Sequence, residues 1–170
     1  MAPKLRIGLA VFLITLALDL GTKMLVEANI HFGAQIEVIE GFFYLTHVRN
    51  PGAAFGLFAT APKMLRLTFF IGVAIVAIGI ILSFFYQLAP GDRLSGLALG
   101  MILGGAVGNL VDRIRYQEVV DFLHFRLWQG YSWPDFNLAD SFIVVGVGLL
   151  VLELLVSEGE NQAGAPPESA

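Results

Sequence analysis

Two aspartates stand in sequence surroundings that would change how a carboxyl group behaves. Asp121 follows two valines and precedes Phe122 and Leu123, so desolvation is expected to raise its pKa. Asp140 lies three residues after Asn137, which can act as the N-cap of a helix that starts there. Asp140 would then bind N–H groups of the first helical turn. For Asp140 taken alone, this structural interpretation is slightly favoured over catalysis.

Together, the two acids could perform hydrolysis if the fold brings them to one place. Like charges at short range cannot both ionise, so such a pair shares one proton. One carboxylate can take a proton from water while the other donates to a peptide carbonyl oxygen and later to the leaving amine. Because a helix N-terminus favours an anion, we expect Asp140 to be the ionised base and Asp121 to hold the proton. The two groups would titrate as a unit.

Charged residues inside other apolar stretches also need an explanation, because a bilayer disfavours them. Asp19 and Lys23 are four residues apart on one helix face, where they can neutralise each other. Alternatively, Lys23 orients a polar group at the membrane rim. Asn109, Asp112 and Arg113 lie together at the end of another apolar run. We interpret Asp112 and Arg113 as an Asp–Arg network that closes a helix end.

Other catalytic chemistries find less support in the sequence. The chain has no cysteine, which excludes disulfides and thiol catalysis. Ser141 follows Asp140, but His47 and His124 have no spacing that marks a Ser–His pair. Asp121 and His124 could bind a metal from one face of a helix, but in a strand they face opposite sides, and no H-E-x-x-H run is present. We predict no metal and no cofactor.

The composition indicates that lipid covers part of the protein. Hydrophobic residues make up 56% of the chain and charged residues 14%, against about 25% charged in ordinary soluble domains. Crossing a bilayer takes roughly 20 mostly apolar helical residues. We predict four spans, at about 5–27, 67–89, 94–111 and 139–156. The first could instead be a cleaved signal peptide, because Lys4 and Arg6 precede its apolar run.

Glycines in the third predicted span recur every four residues. Gly96, Gly100, Gly104 and Gly108 form this stripe, and Gly105 adds to it. Small residues along one face let another helix backbone approach closely. Packing against a neighbouring span is the favoured interpretation, although a substrate helix could use the same face.

Polar segments at about 28–66 and 112–138 separate the spans. Residues 35–38 and 43–48 alternate with a period of two around a turn at Glu40 and Gly41, which predicts a small antiparallel sheet. Val119 to Phe125 is also typical of a strand. Trp128 and Trp133 suit a membrane interface. Residues 1–157 are predicted to form one domain, followed by a disordered tail at 158–170.

Charge gives a weak indication of orientation. Lys4 and Arg6 favour a cytoplasmic N-terminus, yet more arginines and lysines lie on the two polar segments than on the opposite side. We give more weight to the first span, which often dominates. The formal net charge of −4 and the absence of a basic run give no sign of nucleic-acid binding.

Four short blocks form a recognisable set along essentially the whole chain. In their order and spacing they resemble the motifs of the bacterial lipoprotein signal peptidase family (signal peptidase II). The first span departs from the family's usual Asp-Gln-x-x-Lys pattern, because Leu20 stands at the second position while the outer Asp and Lys remain. The blocks are Asn50-Pro51-Gly52-Ala53-Ala54-Phe55, Gly104-Gly105-Ala106-Val107-Gly108-Asn109-Leu110-Val111-Asp112-Arg113, Val119-Val120-Asp121-Phe122 and Phe136-Asn137-Leu138-Ala139-Asp140-Ser141.

The resemblance implies an all-α membrane protein with four transmembrane helices and a small extracytoplasmic antiparallel β-sheet. It implies a place in the bacterial cytoplasmic (inner) membrane, with both termini cytoplasmic and the active site near the extracytoplasmic face. Asp121 and Asp140 would be the catalytic dyad of an aspartic endopeptidase. That enzyme would cleave prolipoproteins just before the diacylglyceryl-modified cysteine and would be inhibited by globomycin-type cyclic peptides. The implied supporting or substrate-binding positions are Asp19, Lys23, Asn50, Gly104, Gly108, Asn109, Asp112, Arg113, Asn137 and Ala139.

Two other classes of function remain as alternatives. A small proton-coupled transporter could use Asp19, Lys23 and Glu153 as a relay, although the acids cluster at one rim and no internal repeat is evident. A structural assembly protein could be held together by the glycine stripe. An Asp121→Asn variant separates these classes, because a peptidase should fold and bind precursor but stop cleaving it.

Overall fold

The computed structural model describes residues 3–52, 61–89, 91–128 and 130–163. Parts of three predictions lie outside these residues: Ala53, Ala54 and Phe55 of the first motif block, 53–60 and 129 of the two polar segments, and 164–170 of the tail. The elements in chain order are α1 (Pro3–Asn29), β1 (Gln35–Ile39), β2 (Phe43–Asn50), α2 (Lys63–Gln87), α3 (Arg93–Tyr116), β3 (Val119–Phe125) and α4 (Leu138–Ala163).

The predicted fold class is confirmed. The described part of the chain has four helices long and apolar enough to cross a membrane. Its three strands form one antiparallel sheet in the order β1-β2-β3. The turn at Glu40 and Gly41 is present, with Gly41 at a φ of 66° and its N–H bound to the Glu37 carboxylate at 2.7 Å.

The glycine stripe places α3 directly against α1. A Cβ atom at Gly100 would lie 2.6 Å from the carbonyl oxygen of Gly8, and one at Gly104 would lie 2.7 Å from the Cβ of Thr15. Gly105 faces α4, where a Cβ would collide with the carbonyl oxygen of Ala139. These contacts confirm the packing interpretation, because the space a substrate helix would need is taken by neighbouring spans.

The sheet lies against one end of the helices. Val26 and Ile30, from α1 and the residues after it, share a buried cluster with Val120 and Phe122 of β3. In the β2–β3 ladder, Val48 lies opposite Asp121, and the register shifts between Leu45 and Val48. The irregular pairing between β2 and β3 therefore lies next to Asp121.

Two element ends differ from prediction. α3 continues to Tyr116 and ends at Gln117, which has a left-handed φ of 64°, so Asp112 and Arg113 belong to the helix and not to a polar loop. α4 continues to Ala163, so residues 158–163 are helical where a disordered tail was predicted. Adding residues to an existing helix avoids the cost of nucleation, and the Glu, Gln and Ala of this segment offset the low helix propensity of Gly159 and Asn161.

Candidate active site

A cavity of about 600 Å³ lies where the sheet meets the helix ends. Its walls come from five elements (β2, α2, α3, β3 and α4) and the loops beside them. They include Asn50, Phe70, Arg113, Asp121, Trp133 and Asp140. The structure thus brings the two acids, which lie far apart in the sequence, to the wall of one cavity.

Asp121 is held by two amide groups. It is 2% exposed. The Asn50 side chain donates to its Oδ2 at 2.8 Å, and the Asn137 side chain donates to its Oδ1 at 2.7 Å. Burial, followed by the nearby charge of Asp140, raises the pKa of Asp121 to about 7, although the two amide donors pull it down. A carboxyl with this pKa can hold a proton near neutral pH.

Asp140 occupies the third position of α4, as predicted. Its backbone N–H donates to Oδ1 of Asn137 at 3.0 Å, and the Asn137 N–H donates back to Oδ2 of Asp140 at 3.3 Å. This reciprocal arrangement is a capping box. The Asn109 side chain donates to the other Asp140 oxygen at 2.8 Å. Asp140 is therefore a capping residue that also lines the cavity.

Asn137 connects the two acids and has no exposed surface. Its side-chain N–H₂ donates to Asp121 and also to Oδ1 of Asn109 at 3.2 Å, while its backbone N–H donates to Asp140. One buried residue thus contacts both carboxylates, which keeps them in a defined relation.

Lys23 lies at the centre of a second buried cluster. Its ammonium is 2.8 Å from Asp19, 2.9 Å from Asp112 and 3.1 Å from Oδ1 of Asn109. The predicted Asp19–Lys23 pair is confirmed. Lys23 also donates to Asn109, and Asn109 in turn donates to Asp140. Lys23 therefore both pairs with an acid and orients a polar side chain.

In the described part of the chain, Asp112 and Arg113 interact electrostatically but form no direct ion pair of the kind predicted. Asp112 pairs with Lys23 of α1, whereas the Arg113 guanidinium donates to the Asn109 carbonyl at 3.2 Å and lies over the Phe70 ring, 5.3 Å from its centre. Adjacent residues on a helix point in different directions, which separates these two side chains. Arg113 instead lines the cavity and interacts electrostatically with both acids.

The remaining predicted positions divide between support and packing. Asn50 ends β2, and its Oδ1 accepts the Gly52 N–H at 2.9 Å, which orients its amide toward Asp121. Gly104 contacts α1, and a Cβ at Gly108 would collide with the Asp19 carboxylate. Ala139 is fully buried and donates its N–H to Asp19 at 2.9 Å. These last three shape helix contacts and are not among the residues of the cavity wall.

Sequence patterns missed several cavity residues. Phe70 comes from a span predicted only as apolar, and Asp135 comes from a loop with no strong pattern. Asp135 accepts a hydrogen bond from Thr46 at 2.7 Å and lies 3.3 Å from His124. Within the described ranges, no group of three or more His, Cys, Asp or Glu side chains is arranged to hold a metal ion.

Relatives of known name and structure match nearly the whole chain. A family model described as Signal peptidase (SPase) II matches residues 11–156. The lipoprotein signal peptidase of Geobacter sulfurreducens is 45% identical over 158 residues, which cover 93% of this chain and 97% of the relative. That of Listeria monocytogenes is 43% identical over 154 residues, covering 89% and 96%.

Solved structures agree with these matches. One bacterial membrane enzyme, solved by the in meso method at 1.9 Å resolution, has a TM-score of 0.76 and 32% identity over 87% of this chain and 92% of its own. A second, at 2.3 Å resolution, has a TM-score of 0.78 and 29% identity over 96% and 93%. The protein is a multi-pass membrane protein. The chain belongs to the signal peptidase II family, the aspartic-type membrane peptidases that remove signal peptides from prolipoproteins.

Proposed function

We propose that Asp121 and Asp140 are the catalytic dyad of this peptidase, and that it cleaves prolipoproteins directly before the diacylglyceryl-modified cysteine. The observation that carries the proposal is the shared cavity, which both carboxyl groups line. Asn137 donates to both acids, and Arg113 supplies positive charge nearby. A buried carboxyl group and a half-buried one that line one cavity and are held in this way can share one proton.

The proposed reaction uses one water molecule and no covalent intermediate. Asp140, ionised at the N-terminus of α4, takes a proton from water as the water oxygen attacks the scissile carbonyl carbon. Asp121, protonated because of its raised pKa, donates its proton to the carbonyl oxygen. The tetrahedral intermediate then collapses, the C–N bond breaks, and the leaving amine receives the proton that Asp140 took. In this step the proposal differs from the scheme inferred from the sequence, because Asp121 has already given its proton to the carbonyl oxygen and cannot protonate the amine. The carbonyl oxygen returns its proton to Asp121, which restores both acids.

This assignment predicts the alkaline limb of the pH–rate profile. With Asp121 required in its protonated form, kcat/KM should fall as pH rises through about 7. Asn50 donates to the anion and lowers the Asp121 pKa, so an Asn50→Leu variant should move this limb to higher pH. The measurement is precursor cleavage in detergent micelles across a pH series. A Gln87→Leu variant, which removes an amide bonded only within α2, is the matched control and should keep the parent profile. A limb that stays in place or moves to lower pH in Asn50→Leu speaks against the assignment.

For topology, we propose a single four-span domain over residues 1–157 with both termini in the cytoplasm. The sheet and the cavity then face the extracytoplasmic side of the inner membrane. Trp128 and Trp133, which are 70% and 49% exposed, suit the membrane interface on that side. Globomycin-type cyclic peptides are proposed to bind in the cavity, where they would exclude the substrate.

The cysteine-free sequence permits a direct test of orientation. Glu40 lies in the exposed turn between β1 and β2, and Gly91 lies in the exposed turn between α2 and α3. In intact cells, a membrane-impermeant maleimide should label a Glu40→Cys variant and should leave a Gly91→Cys variant unlabelled until the inner membrane is opened. The reverse pattern would overturn the proposed topology.

A further inference from the structure

The buried cluster around Lys23 contains two carboxylates and one ammonium. Lys23, Asp19 and Asp112 are each at most 2% exposed. One carboxylate would suffice to neutralise one lysine, and a second buried carboxylate adds a desolvation cost. Charge balance alone therefore does not explain why both Asp19 and Asp112 lie within 2.9 Å of the same ammonium.

Each of these two carboxylates also accepts a backbone hydrogen bond. In both cases the donor is the residue that directly precedes one of the two proposed catalytic aspartates. Oδ1 of Asp19 accepts the backbone N–H of Ala139 at 2.9 Å, and Oδ2 of Asp112 accepts the backbone N–H of Val120 at 3.1 Å. Ala139 and Val120 directly precede Asp140 and Asp121. Both bonds are buried, where a charge-assisted hydrogen bond is strong.

We propose that Lys23 is a positioning residue that sets the separation of Asp121 and Asp140. It holds Asp19 and Asp112, and these hold the backbone N–H groups one residue before each dyad member. The inference rests on the proposed function, because it assigns a task to Lys23 only if the two acids act as a pair.

A third link runs through Asn109. The ammonium donates to its Oδ1, so its N–H₂ is directed to the Asp140 carboxylate. The Asn137 side chain also donates to this oxygen, so Lys23 supplies one of the two hydrogen bonds that orient the Asn109 amide. Lys23 thus acts on the backbone beside both acids and contributes to the orientation of the Asp140 carboxylate.

Positioning of this kind has a large kinetic effect, since a displacement of about 1 Å can cost roughly a hundredfold in rate. The decisive variant combines Lys23→Met, Asp19→Asn and Asp112→Asn. It removes all three charges, keeps an acceptor for each backbone N–H, and leaves no buried ion unpaired. We expect it to unfold near the parent temperature, with kcat lowered about 10- to 100-fold and KM within about threefold of the parent. If Lys23 only neutralises charge, the triple variant will keep the parent kcat, and the inference falls.

A second pair of variants covers the case in which the triple variant does not fold. Asp112→Asn and Asp112→Leu have equal charge and similar size, and each leaves Lys23 paired with Asp19. Only asparagine can still accept the Val120 N–H. We expect kcat, per folded molecule, to be at least about tenfold lower for Asp112→Leu than for Asp112→Asn, with similar KM. Equal kcat values for the two variants would overturn the inference.

The two failures are distinguishable. If Asp121→Asn and Asp140→Asn retain activity, the proposed dyad is wrong whatever the Lys23 variants do. If both are inactive while the triple variant is as active as the parent, the dyad stands and Lys23 has no positioning task.

Discussion

Replacing either of the proposed catalytic aspartates with asparagine should lower cleavage of a lipid-modified precursor by at least about a hundredfold. General acid–base catalysis by one group contributes roughly 10²- to 10⁴-fold, and an amide can neither take up nor share the proton. The fold should survive. In Asp140→Asn the new amide oxygen can still accept the Asn137 N–H, and in Asp121→Asn it can still accept from the Asn137 side chain. The measurement is the appearance of cleaved product in proteoliposomes, together with retained precursor binding.

Asp92→Asn is the matched control for these variants. Asp92 caps α3 by accepting the Ser95 N–H at 3.1 Å, and asparagine is an equally good N-cap. The control should therefore cleave at the parent rate. Activity of Asp121→Asn or Asp140→Asn within tenfold of the parent would remove that residue from the dyad.

Lys23→Met should produce the largest loss of stability among single substitutions. It leaves Asp19 and Asp112 buried beside each other without a cation, and breaking a buried ion pair by removing one partner costs about 3–5 kcal/mol. The loss should appear as a lowered free energy of unfolding in detergent micelles. Lys63→Met removes a lysine that is exposed at the start of α2 and should change stability by no more than about 0.5 kcal/mol.

Stability measurements also separate charge from geometry in this cluster. Adding Asp19→Asn and Asp112→Asn to Lys23→Met should restore most of the lost free energy, because no unpaired ion then remains. A loss below about 1 kcal/mol for Lys23→Met alone would show that water or lipid headgroups solvate the two acids.

The sequence predicted the parts of the fold that local patterns encode. Long apolar runs mark spans because a bilayer accepts few other structures, and alternation marked β1 and β2. The Asn137 cap with Asp140 in the first turn followed from a spacing of three residues, and the Asp19–Lys23 pair from a spacing of four. Each of these contacts lies within one element, where chain geometry alone fixes the distance.

Contacts between elements were beyond such patterns. Nothing in the residues near Asp112 indicates that its partner is Lys23 on α1, because this depends on how α1 and α3 pack. The direction of Arg113 depended on where α3 ends, and that end lies five residues beyond the predicted one. Phe70 lines the cavity through tertiary packing alone.

Neither the structure nor the named relatives support the transporter hypothesis. A relay needs Asp19, Lys23 and Glu153 to communicate across the bilayer. Glu153 instead accepts a hydrogen bond from Ser95 of α3, while Lys23 donates to Asn109, which in turn donates to Asp140. The glycine stripe, which motivated an assembly protein, is filled by helices of the same chain.

The contributors to the cavity also bear on biogenesis. Asn50, Arg113, Asp121 and Asp140 come from β2, α3, β3 and α4, and Asp19 of α1 binds the start of α4. A nascent chain whose last span has not left the ribosome and joined the first therefore has no second acid to offer. With the proposed dyad, proteolytic activity would therefore require that α4 has been inserted and has packed against α1.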